Sequence, residues 1–101
     1  MPANIQIEML KAGEYRVRVR EGSSETSHVV TLQPAIHQQL TSGSAPPEEL
    51  LRRSFEFLLE REPKESILAR FDLPVISRYF PDYEREIRRR LPAEPQSRSN
   101  R

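Results

Sequence analysis

Between Ile5 and Arg20 the chain changes character at nearly every residue. Ile5, Ile7 and Met9 alternate with Gln6, Glu8 and Leu10, and Tyr15, Val17 and Val19 alternate with Arg16, Arg18 and Arg20. A period of two is the mark of strands that bury one face. Facing residues of paired strands lie on the same side of a sheet, so Ile7 should face Val17 rather than Arg16 or Arg18. That register sets Met9 opposite Tyr15 and Ile5 opposite Val19. It leaves Lys11, Ala12 and Gly13 as a loop of about three residues, whose last position favours a left-handed backbone that glycine adopts at no steric cost.

The rest of the chain extends this hairpin into a mixed fold. EGSSETS, residues 21–27, is polar and turn-rich, and SHVVTL then reads as a third strand with His28, Val30 and Leu32 on one face. Pro34 fits the first turn of a short helix through Leu40, where its missing N–H costs nothing. The segment 48–62, EELLRRSFEFLLERE, places Leu51, Phe55 and Leu58 at helical spacing, with Leu50, Phe57 and Leu59 widening the apolar stripe. Glu48 and Glu49 sit at its positive end and Pro63 stops it. KESILARF reads as a further short helix carrying Ile67, Leu68 and Phe71. Asp72 reads as an N-cap for LPVISRYF, with Pro74 inside the first turn. Pro81 restarts the chain as DYEREIRRRL, acidic at its start and basic at its end, as a helix dipole favours. The expectation is an α+β fold. A three-stranded antiparallel meander over residues 4–33 is covered on its apolar face by the helix at 48–62, and a C-terminal group of three to four helices packs around them. Residues 1–91 form the domain, and PAEPQSRSNR, residues 92–101, reads as a disordered polar tail. The outer strands, first and third, offer edges to a second copy.

Composition narrows the function. Apolar residues make up 36% of the chain, below the roughly 45–50% of ordinary globular domains. The core is therefore thin, and self-association is a natural way to complete it. There is no cysteine, which excludes disulfides and thiolate zinc sites. Three glycines leave no phosphate-cradling loop. His28 and His37 have no sequence-local partner and no metal-ligand spacing. No catalytic, cofactor-binding or metal-binding residue is assigned, and the chain reads as a non-enzyme. No apolar run is long enough to span a membrane and the N-terminus lacks a signal-peptide layout, so a cytoplasmic protein is expected. Residues 1–45 carry four basic and four acidic groups, and residues 46–91 carry ten of each. Binding to phosphate backbones normally needs a cationic excess, so a nucleic-acid partner is not favoured.

Five residues stand out as a candidate interaction surface. Arg16, Arg18 and Arg20 form a row on one strand face. They are either free to meet phosphates or an acidic partner, or simply a solvated outer face, partly neutralised by Glu8 opposite Arg16. Phe57 and Tyr79 are the aromatic side chains expected to stay exposed as docking anchors. In SRYFPDYEREIRRR, residues 77–90, the other rings and Ile87 fall at helical spacing and read as packing, and the terminal arginines as a solvated helix end.

Three resemblances follow from these segments. VVTLQPAIHQQL followed by EELLRRSFEFLLER resembles, in the order of its elements, the ribbon-helix-helix repressors and antitoxins. That resemblance implies a DNA-binding dimer whose reading strand would present Val29 and Thr31. KESILARFDLPVISRY has the flavour of a helix-turn-helix, but Leu73 stands where that motif's turn has glycine, and Pro74 follows. SFEFLLEREPKESIL and FDLPVISRYFPDYEREI, within residues 54–87, resemble a group of short uncharacterised bacterial proteins. This implies a bacterial origin and a small stand-alone protein, and it brings no activity or ligand with it. The sequence therefore points first to a non-catalytic protein-interaction module. Its partner would be another protein or a second copy, and the alternative is a small DNA-binding regulator of the ribbon-helix-helix kind.

Overall fold

The computed structural model describes residues 3–91; the polar tail expected at 92–101 lies outside them. Strands β1 (Asn4–Lys11), β2 (Glu14–Glu21) and β3 (Ser24–Thr31) form the meander. Their first pairing has the register that the alternation dictates, with Ile5 opposite Val19, Ile7 opposite Val17 and Met9 opposite Tyr15. The loop is tighter than expected. Lys11 pairs with Glu14, so only Ala12 and Gly13 turn the chain, and the register shifts between Met9 and Lys11. Gly13 has φ +80, and its carbonyl accepts the Leu32 N–H at 2.8 Å. The stretch read as a polar turn is mostly strand. Gly22 turns the chain at φ +62, and Glu25 and Thr26 already face Arg20 and Val19.

Helices α1 (Pro34–Thr41) and α2 (Pro47–Arg61) follow, each with proline in its first turn. The α2 helix buries Leu50, Leu51, Ser54, Phe55, Phe57 and Leu58. Phe55 lies against the sheet, with its ring centroid 5.4 Å from His28 and 6.1 Å from Phe71. Arg52 reaches the edge strand and donates to the Ile5 carbonyl at 2.6 Å.

Beyond α2 the structure corrects the sequence reading twice. KESILARF is no helix: a 3₁₀ turn over Lys64–Ser66 leads into a fourth strand, β4 (Arg70–Asp72), which pairs with β3 in parallel. Asp72 is no N-cap. It lies in β4 opposite Thr31, and its carboxylate accepts a hydrogen bond from the Thr31 hydroxyl. Both changes share a cause. Pro63 ends α2, and Lys64, itself buried, sets its ammonium 3.1 Å from Glu21 at the end of β2. The chain then runs along β3, where the Val29 N–H bonds the Ala69 carbonyl and the Leu73 N–H bonds the Thr31 carbonyl. The sheet order is β1-β2-β3-β4, so of the two strands expected to offer an edge only β1 does, and β3 is interior.

Two short helices close the fold: α3 (Val75–Tyr79) and α4 (Tyr83–Arg90). The latter packs on α2 through Tyr83 and Ile87, both fully buried. The Tyr83 hydroxyl lies 2.6 Å from Ser54, whose own hydroxyl donates to the Leu50 carbonyl at 2.8 Å. The phenol must therefore donate to Ser54, and burial pushes its pKa well above the ordinary value. Among the described residues no helix is long and apolar enough to cross a membrane.

This hydroxyl chain gives an asymmetric expectation. Tyr83→Phe leaves Ser54 its bond to Leu50. Ser54→Ala leaves a buried phenol without an acceptor, which costs about 1–3 kcal/mol. Urea unfolding should find Ser54→Ala the more damaging single change, with the double variant recovering part of the loss.

Candidate functional site

The two faces of the sheet have opposite characters. On the outer face the arginine row is in place, but it is partly neutralised. Glu8 lies 3.6 Å from Arg16 and 3.9 Å from Arg18, and Arg20 lies 3.2 Å from Glu25. Glu14 is shared by Arg70 at 3.2 Å and Lys11 at 3.8 Å. Apart from Glu14 these side chains are largely exposed, so each pair adds little stability. Together they make a mosaic of both signs rather than a cationic stripe. The ribbon-helix-helix order fares no better on geometry. Its reading strand must pair with a twin, whereas β3, in that position, has β2 on one side and β4 on the other.

Phe57 and Tyr79 part company. Phe57 was expected to be exposed and is fully buried. Its ring meets Tyr83 at 5.5 Å and Phe80 at 5.9 Å edge-on, while the Arg61 guanidinium sits 4.3 Å from its centroid and that of Arg90 5.6 Å. Both guanidiniums are held by carboxylates: Arg61 by Asp82 at 2.8 Å, and Arg90 by both oxygens of Glu60 at 2.7 and 2.9 Å. The ring is thus roofed by two anchored cations. Tyr79, by contrast, is 65% exposed.

Tyr79 stands on the rim of an apolar groove of about 210 Å³. The last turn of α2 supplies Leu58, and Glu62 follows directly after the helix. The segment after the 3₁₀ turn supplies Ile67 and Leu68, β4 supplies Phe71, and α3 supplies Val75 and Ile76. Leu68, also in the lining, is 46% exposed. Glu62 is the one charged residue in the lining. None of these except Tyr79 was singled out from the sequence as a site residue. Ile67, Leu68 and Phe71 were assigned to a helix that does not form. A short signal of strand periodicity was present over 70–73 only: Phe71 and Leu73 are buried and Arg70 and Asp72 exposed, while Ala69 is exposed where alternation from Ile67 would bury it.

The groove wall is fastened to the sheet by a buried histidine. His28 is 2% exposed. Its Nδ1 lies 2.8 Å from the Leu68 carbonyl and its Nε2 2.8 Å from the Thr26 hydroxyl. The carbonyl can only accept, so Nδ1 carries the proton and Nε2 accepts from Thr26. Burial lowers the His28 pKa, and the bond to Leu68 opposes this in part. His37 donates from Nε2 to the Ala45 carbonyl at 2.7 Å. Neither ring is placed beside a carboxylate in a cleft. Among the described residues no group of three or more His, Asp or Glu could hold a metal ion.

No family model, curated protein or solved structure matches the chain.

Two outcomes follow from this geometry. A histidine whose folded pKa lies below its ordinary 6.5 takes up fewer protons folded than unfolded. Its contribution is present above that pH and is lost as pH falls through the folded value. The urea midpoint should therefore drop between about pH 7 and pH 5, and His28→Asn, whose amide can still donate to Leu68, should flatten that drop. On the outer face, Glu8→Gln should shift stability by no more than about 0.5 kcal/mol. A larger loss in chemical unfolding would mean that the mosaic is structural.

Proposed function

We propose that the chain is a non-catalytic protein-interaction module whose contact surface is the apolar groove rimmed by Tyr79 and Leu68. One observation carries the reading. Two large apolar side chains, 65% and 46% exposed, line a recess whose surface is mainly apolar, which gives an aromatic anchor beside a pocket. Among the described residues four large apolar side chains are exposed; the other two, Met9 and Leu10, lie at the end of β1. The groove is also small. Pockets that enclose a whole cofactor or metabolite run to roughly 300–1,000 Å³, so about 210 Å³ favours side chains inserted by a partner over a free small molecule. Each arginine of the Arg16, Arg18 and Arg20 row already has a carboxylate within 3.9 Å, which weighs against the row as the principal contact.

The two surfaces can be separated in one experiment. A photo-crosslinking amino acid, p-benzoylphenylalanine, is placed at position 79 or at position 16 and irradiated in the native cells. A discrete adduct from position 79 and none from position 16 is the expected result. Adducts only from position 16, or none from either, would contradict the proposal.

A further inference from the structure

The groove lining carries a single charged residue. Glu62 lies in the lining at the end of α2. The cations nearest to it in sequence are engaged elsewhere: Arg61 with Asp82 at 2.8 Å, and Lys64 with Glu21 at 3.1 Å and Glu65 at 2.9 Å. Among the described residues Glu62 forms no ion pair. It is a carboxylate held at the edge of apolar surface without a cation.

Resting on the interaction reading above, we infer that the groove receives a short segment of another protein that inserts one or two apolar side chains and sets a lysine or arginine against Glu62. Covering the groove removes water from around this carboxylate, and a desolvated charge must be paired or it opposes binding. An apolar segment without a cation would therefore bind against a penalty, and an acidic one against repulsion. The same physics disfavours a second copy as the occupant. Two grooves placed face to face bring two Glu62 carboxylates to one interface, and the lining of neither supplies a cation. Tyr79 and Leu68 then surround the inserted side chains and exclude water from the new pair, which strengthens it.

The probe is a library of random heptapeptides displayed on phage and selected on the immobilised full chain. Wild type, Glu62→Lys and Tyr79→Ser are compared. Tyr79 is exposed and Glu62 unpaired, so all three should fold alike, checked by circular dichroism. Wild type is expected to enrich peptides that combine an apolar side chain with a nearby lysine or arginine. Glu62→Lys should bind those peptides about tenfold more weakly and select acidic neighbours instead. Apolar peptides without a basic preference, bound equally by wild type and Glu62→Lys, would overturn this inference and leave the interaction reading standing. No enrichment on wild type over Tyr79→Ser would overturn both. A dimer in sedimentation equilibrium that Tyr79→Ser dissociates would make the occupant a second copy and also overturn the inference.

Discussion

Phe55 is the side chain on which the separate parts of the molecule converge. It projects from the middle of α2, is fully buried, and touches His28 of β3 and Phe71 of β4 at once. The meander has one apolar face, and an open sheet of this kind is stable only when that face is covered. Phe55 joins the cover to the sheet. It also fixes where β4 can lie, since Phe71 must meet the same ring. Residues on the far side of α2, Ser54 and Phe57, are then left for α4 to bury. An amphipathic helix with a wide stripe thus organises two layers at once, which offsets the thin apolar composition of the chain.

Local alternation made the hairpin legible, because a one-residue slip would have moved Arg16 and Arg18 into the core. Helix α2 was equally legible from its stripe and its flanking prolines. What failed was long-range. Nothing in KESILARF announces that Lys64 will bond Glu21, or that Ala69 and Leu73 will pair with backbone groups of β3. Short apolar runs read alike as helix or strand, and here tertiary hydrogen bonding decided. The groove was missed for the same reason: its lining falls within residues 58–80, but the shape of that stretch is set by its pairing with β3. Phe57 failed differently. Its position at the edge of the stripe was read correctly, but its cover comes from Arg61 and Arg90, which sequence alone presents as solvated charges.

The distribution of charge separates structural from available surface. Arg61, Arg90 and Lys64 each have a carboxylate within 3.1 Å and help to hold helices or strands together. The outer-face arginines are balanced more loosely, at up to 3.9 Å, yet still by acids of the same sheet. The chain, with a formal net charge of +1, spends most of its ionic groups on one another. A charge left over in an apolar setting is informative against that background, and Glu62 is such a charge.

The groove persists because the backbone of its wall is already committed. Leu68 and Ala69 turn their carbonyls to His28 and Val29, which holds the backbone of this wall against β3, while the Leu68 side chain is 46% exposed and lines the groove with Phe71 and Ile76. Moving this backbone would orphan a buried imidazole N–H and a strand N–H, at about 1–3 kcal/mol each. The wall is therefore held in place by bonds that do not depend on what fills the recess.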